Sequence, residues 1–204
     1  MTNITYAGLL RPSTKIYAGL YDITLIIFGS LFIAVGARLK IFLPFSPVPI
    51  TGQTFAVLMV GALFGAWRGS LSAFFYLIMG TTGLSVFALG GGFSVLSGPT
   101  GGYLIGFIAA AYITGLLAER GWDRRIVTAF LAMVLGNITL YAFGLLWLCC
   151  LMGISRTVLV IGLYPFIIGD LLKIALAALL LPSGWKLLNR FTPREINNLR
   201  IRTK

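Results

Sequence analysis

Histidine is absent from the 204-residue sequence, which removes imidazole from metal coordination and from general-base chemistry. Cysteine is nearly absent: Cys149 and Cys150 are the only two, adjacent in an apolar run. Neighbouring helical residues point in different directions, so this pair forms neither an ordinary disulfide nor a metal clamp. Packing as small hydrophobes is the expected role. Acids are scarce, five against sixteen Lys and Arg. An intramembrane acyl or prenyl transferase usually needs His, paired carboxylates or a metal site, so the sequence argues against an enzyme, and it calls for no cofactor or metal. Charge of either sign is rare altogether, at 10% of residues, while 58% are hydrophobic and the mean hydropathy is +0.97. No soluble globular domain has that composition. The expected fold class is an all-α integral membrane protein, one bundle with no separate soluble domain.

Six apolar segments are drawn against the ~17–25 residues that cross a bilayer: 21–37, 51–67, 70–79, 101–118, 126–148 and 164–181. The third is short, so it tilts, begins earlier or spans only partly. Val35-Gly36-Ala37 resembles a signal-peptidase site, but Arg38, Lys40 and a proline-rich segment follow at once, and an uncleaved first span is expected. The net charge of +11 would suit nucleic acid, but its distribution points elsewhere. With six spans and both termini cytoplasmic, twelve cations fall inside (Arg11, Lys15, Arg68, Arg120, Arg124, Arg125, Lys186, Arg190, Arg194, Arg200, Arg202, Lys204). Three fall outside (Arg38, Lys40, Arg156), and Lys173 lies within a span. That is a positive-inside pattern. The expected organisation is a cytoplasmic segment 1–20, a bundle 21–181 and a basic tail 182–204 facing anionic lipid or a cytoplasmic partner.

Asp170 and Lys173 stand out inside the last apolar run. Three residues apart, they share a helix face, and an ionisable residue at mid-depth costs at least about 2.5–3.5 kcal/mol on insertion scales. Either the two lock helices together or they serve a ligand. The topology puts Asp170 roughly 9 Å below the outer surface at ~1.5 Å per residue, so a site there opens outward. Asn137 and Tyr141, four apart on the fifth segment, share a face at a similar level, as an interhelical bond or a ligand contact. Gln53 and Thr54 begin the second segment from the outside, after Pro44-Phe45-Ser46-Pro47-Val48-Pro49. Three prolines in six residues make a rigid connector or lid. The stretch 80–100 is uncharged, glycine-rich and carries Val86, Phe87 and Phe93; so apolar a loop suggests a flap over a pocket, with Thr100 as helix N-cap. It lacks the Gly-x-x-x-x-Gly-Lys-Ser/Thr pattern of a phosphate cradle. Two small-residue stripes, Ser30/Ala34/Ala37 and Gly61/Gly65/Gly69, imply close helix contacts. The first is either internal packing or a surface for another membrane protein.

Five motifs occur in order: Pro47-Val48-Pro49-Ile50-Thr51-Gly52-Gln53-Thr54, Gly61-Ala62-Leu63-Phe64-Gly65, Gly83-Leu84-Ser85-Val86-Phe87-Ala88, Gly98-Pro99-Thr100-Gly101-Gly102-Tyr103 and Gly169-Asp170-Leu171-Leu172-Lys173. Together they resemble the BioY family, the biotin-binding S components of energy-coupling-factor transporters, over about residues 41–181. Asn137 and Tyr141 sit where that family tends to have Asn and Tyr. Ser85 stands where it usually has Pro, and Ser30-x-x-x-Ala34 where S components often show two alanines for docking on the coupling subunit. The resemblance implies high-affinity capture of biotin from the external side of a bacterial-type inner membrane, with release driven by two ATPases through a transmembrane coupling subunit. It implies a substrate site of Asp170, Lys173, Asn137, Tyr141, Gln53, Phe87 and Tyr103, with Ser30 and Ala34 as the docking face. Another vitamin-like solute on the same architecture is the alternative.

Overall fold

A chain surrounded by hydrocarbon has no water to satisfy its backbone, so apolar runs of this length become helices. The structure, a computed structural model, describes residues 5–191. In order it contains α1 (Tyr6–Leu9), α2 (Lys15–Arg38), β1 (Lys40–Leu43), β2 (Ser46–Thr51), α3 (Gln53–Phe64), α4 (Ala66–Thr81), α5 (Phe93–Ser97) and α6 (Gly101–Glu119). A 3₁₀ turn (Trp122–Arg124), α7 (Ile126–Met152), α8 (Arg156–Gly162) and α9 (Tyr164–Phe191) follow.

Among the described residues four stretches are long and apolar enough to cross a membrane: α2, α6, α7 and the run 156–188 that contains α8 and most of α9. The chain is therefore a multi-pass membrane protein. The second and third expected segments are α3 and α4, of 12 and 16 residues. At ~1.5 Å per residue, α3 is roughly 18 Å long, short of the ~30 Å hydrocarbon layer. The expected run 51–67 breaks because Gly65 adopts φ +90° between the two helices, a conformation that glycine alone adopts at little cost. Gly65 is thus a hinge and not part of a helix stripe. Gly61 and Gly69 do make close contacts: a Cβ on Gly61 would lie 2.5 Å from the Ala111 oxygen, and one on Gly69 would lie 2.8 Å from Gly61 Cα.

The centre of the bundle is α6, packed on α3, α4 and α7; 67% of its apolar window is buried, against 22% for α2. The lipid side of α2 is correspondingly greasy, with Leu20, Ile23, Phe28, Leu31 and Val35 exposed. At the basic end, Asp22 of α2 joins Arg11 and Arg68, each at 2.7 Å, tying the N-terminal segment and α4 to α2.

Three expectations need correction. The final helix does not end at Leu181 but continues through Pro182 to Phe191, and the rest of the expected tail, 192–204, lies outside the described residues. The proline-rich connector is a β-hairpin, with Ile41 opposite Ile50 and Leu43 opposite Ser46. Proline is tolerated there because both strands are edges, so the all-α description holds for the bundle only. Thr100 does not cap α6 with its side chain; its hydroxyl donates instead to the Val95 carbonyl at 3.4 Å. Cys149 and Cys150 are both free thiols.

Candidate functional site

Asp170 and Lys173 lie one turn apart on α9, facing the start of α3. Lys173 Nζ donates to Asp170 Oδ1 at 2.7 Å, to Thr54 Oγ1 at 3.0 Å and to the Thr51 carbonyl at 2.7 Å. Thr54 Oγ1 in turn donates to Asp170 Oδ1 at 3.1 Å, and Tyr141 donates to Oδ2 at 2.6 Å. These partners come from three elements: the turn into α3 supplies Thr51 and Thr54, α7 supplies Tyr141, and α9 supplies the pair. The turn is held by the Gly52 N–H, which donates to the Leu39 carbonyl at 2.8 Å.

Desolvation decides why the cluster has this form. Asp170 is 3% exposed, and an isolated carboxylate there would cost several kcal/mol; charge pairing and extra hydrogen bonds offset that. All three ammonium protons of Lys173 are engaged within the protein. A carboxylate has about four acceptor positions, and Asp170 uses three of them, two on Oδ1 and one on Oδ2. The remaining position is on Oδ2.

Asp170, Lys173, Thr54 and Tyr141 form one wall of a partly enclosed cavity. Gln53, Phe87 and Tyr103 also line it, with Phe107, Leu140 and Phe166 completing an apolar interior. The hairpin contributes Val48 and Pro49, and the stretch 80–100 contributes Phe87, Ala88 and Leu89. That stretch does sit over the cavity. Gln53 Nε2 donates to Tyr76 Oη at 2.6 Å, and Tyr76 donates to the Val86 carbonyl at 3.1 Å, so a polar relay runs from α3 to the flap. Phe87, 2% exposed, stands edge-on to Tyr76 with ring centroids 5.4 Å apart. It rests over Gly80, where a Cβ would lie 2.0 Å from the ring. Two cations anchor the flap from outside: Arg38 donates to the Ser85 carbonyl at 2.7 Å and Lys40 to that of Ala88 at 2.6 Å. Tyr103 donates to the Gly162 carbonyl at 2.7 Å, fixing α6 to the junction of α8 and α9, and meets Tyr141 edge-on.

The structure thus brings six of the seven expected site residues to one cavity. Asn137 is the exception. It is buried one turn before Tyr141 and is not part of the cavity wall, because Leu140 and Tyr141 occupy that level of α7. Its Oδ1 has no hydrogen-bond partner among the described residues. Ser30 and Ala34 also turn inward: Ser30 is fully buried, its hydroxyl donating to Ile27 O at 2.7 Å, and Ala34 packs on the core. The neighbouring Gly29 abuts Ser72 of α4, so the Ser30 end of this stripe packs inside the bundle while Ala34 is half-buried. Sequence reasoning passed over Thr51, Tyr76, Phe107 and Phe166 as site residues and gave Thr54 no role. A threonine beside Gln53 in an otherwise apolar helix was the available signal for Thr54; the Thr51 carbonyl carries none, since it is backbone.

Comparison with known proteins follows the same outline. The profile described as the BioY family matches residues 10–190. A biotin transporter BioY of Thermotoga maritima is 41% identical over 150 residues, 72% of this chain and 86% of that protein. Those of Rhizobium etli and Rhodobacter capsulatus are 38% and 39% identical, covering 76% and 78% of this chain and 87% and 90% of theirs. A crystal structure described as the S-component for biotin from an ECF-type ABC transporter superposes with a TM-score of 0.75 at 28% identity, covering 86% of this chain and 95% of that one.

Proposed function

The chain belongs to the BioY family, and we propose on that basis that it is a biotin-binding S component whose substrate occupies the cavity beside Asp170. It is a transport subunit and not an enzyme, and it works with the energising module of an ECF transporter. One observation carries the placement: a buried carboxylate with a single open acceptor position lines a cavity whose other walls are apolar and aromatic. Biotin's ureido group offers N–H donors, and one N–H on Asp170 Oδ2 completes the carboxylate's coordination. Gln53, which lines the same cavity, would offer its amide oxygen to the other side of that ring, with Phe87, Tyr103 and Phe107 covering the apolar bicycle. Because the Lys173 ammonium is fully engaged, the valerate carboxylate points away from it, toward the mouth between hairpin and flap.

The same reading extends to topology. α3 and α4, joined at the Gly65 hinge, supply the second and third of six crossings, with both termini cytoplasmic and the site opening to the exterior of a plasma membrane. The excess of Lys and Arg at the opposite end of the bundle supports that orientation. A coupling subunit and two ATPases would then drive release inward.

The test is equilibrium binding of biotin to the purified chain in detergent. One-to-one binding is expected, and Asp170→Asn should weaken it at least about a hundredfold, as for loss of a hydrogen bond to a charged group plus its ion pair. Tyr141→Phe, which spares the charges, should cost about tenfold. Parent-like affinity in both variants would place the substrate elsewhere.

A further inference from the structure

A second concavity lies on the other side of Lys173, facing the surroundings of the bundle. It lies between the end of α2, the hairpin, the first turn of α3 and α9, with about 1390 Å³ of empty space. Its walls are apolar side chains left uncovered by the fold: Phe32, Val35, Leu39, Ile41 and Leu176 are all at least 38% exposed. Arg38 and Lys40 sit on its rim, at the point where α2 ends and the chain turns into the hairpin. Neither has a carboxylate partner among the described residues. Each donates only to a flap carbonyl, and Lys40 also lies 5.2 Å from the Phe42 ring centroid. No described acid is free to neutralise them: Asp22 is bound to Arg11 and Arg68, Glu119 and Asp123 belong to the opposite end, and Asp170 is bound to Lys173.

An apolar trough with two cations at its rim that have no carboxylate partner among the described residues is complementary to one kind of molecule. Hydrocarbon fills the trough without desolvation cost, and an anionic headgroup meets the cations where the helix leaves the apolar layer. We propose that this groove seats an anionic glycerophospholipid, with an acyl chain against Val35 and Leu176 and its phosphate at Arg38 and Lys40. The assignment does not depend on which leaflet is involved. Thr51 and Lys173 line both concavities, so the seated lipid backs the wall on which the substrate cluster is built.

The full chain, reconstituted in nanodiscs of equal phosphatidylglycerol and phosphatidylcholine and released into native mass spectrometry, tests this. Retained phosphatidylglycerol should exceed phosphatidylcholine about thirtyfold, the order expected of two interfacial cations. The double variant Arg38→Gln/Lys40→Gln should bring that ratio near one, while Arg38→Lys/Lys40→Arg should preserve it. Val35→Trp, at an exposed position, fills the trough and leaves both charges, and should abolish retention of either lipid. Equal retention by the parent would overturn the proposal. So would a phosphatidylglycerol preference that survives Val35→Trp, which would mean headgroup attraction without a groove, or a dimer that Val35→Trp dissolves, which would make a second copy the occupant.

Discussion

Two buried acids occupy opposite ends of the bundle, and their surroundings differ in kind. Asp170 is 3% exposed and has a cation, a hydroxyl and a phenol on its two oxygens. Asp123 is 1% exposed; Trp185 donates to it, Nε1 to Oδ2 at 2.5 Å, and its Oδ1 has no side-chain hydrogen-bond partner among the described residues. Arg124 is next to it in sequence but stacks on the Trp185 ring, 4.9 Å from its centroid. Tyr6 packs on the other part of that indole with centroids 4.4 Å apart and donates to the Leu181 carbonyl. One acid is coordinated around an opening, whereas the other is a buried latch that clips α1, the 3₁₀ turn and the end of α9 together. Burial alone therefore does not mark a site; an open coordination position facing a cavity does.

Removing a single partner from the Asp170 cluster should separate the two most strongly. Lys173→Met leaves Asp170 buried without its cation, and losses of about 3–5 kcal/mol are typical when a buried pair is broken on one side. The double variant Asp170→Asn/Lys173→Met should recover part of that stability, seen as a higher Tm in detergent, while biotin binding stays lost. A double variant no more stable than Lys173→Met would mean that the charges are not coupled.

Asp123, at the other end, should respond to pH instead. Burial pushes the Asp123 carboxyl up to about 6, only partly countered by the Trp185 hydrogen bond and the Arg124 charge. Its folded-state value then lies above the ordinary carboxylate value, so the folded state binds the proton more tightly. Stability is greatest below about pH 4 and falls as pH rises through about 6. The difference is on the order of 2–3 kcal/mol at most. Thermal melts from pH 4.5 to 7.5 should show the parent losing Tm across that window, and Asp123→Asn should remove this component. An unchanged slope in the variant would assign it to other groups.

The flap offers a smaller, steric test. In Gly80→Ala the new methyl meets the Phe87 ring, and overpacking of this kind typically costs about 1–3 kcal/mol. Because Phe87 roofs the cavity, faster release of biotin is expected with little change in the Asp170 cluster. A dissociation rate equal to the parent's would show that the flap does not limit escape.

What could be read from the chain follows from how rare each feature is in its setting. Asp170 and Lys173 were legible because ionised groups in an apolar run have few explanations, and Phe87 because a loop so apolar must cover something. Asp123 was not: between Arg120 and Arg125 it looks like one more charge in a polar turn, and only the fold buries it under Trp185. The hairpin escaped for a related reason. Its prolines signal the absence of helix but say nothing of pairing, which depends on Ile41 meeting Ile50, nine residues on in the chain. Periodicity gave Asn137 a face but not a level: it lies one turn below the cavity wall, beside Tyr141 rather than on the wall itself.

Thr54 sets the finest division between the two ends, since it separates coordination from charge. Its hydroxyl accepts from Lys173 and donates to Asp170, so Thr54→Val keeps the shape, the pair and the cavity wall while deleting two hydrogen bonds. The Lys173 proton released would turn to Asp170 or to water in the cavity, so neither charge is stranded, and the loss should be near about 1 kcal/mol, the net worth of an ordinary bond. Biotin affinity should fall about fivefold by calorimetry, with the melt slope assigned to Asp123 untouched. If Thr54→Val instead matched Asp170→Asn, the hydroxyl itself would be a direct ligand, and the carboxylate of Asp170 facing the cavity would no longer be what distinguishes it from Asp123.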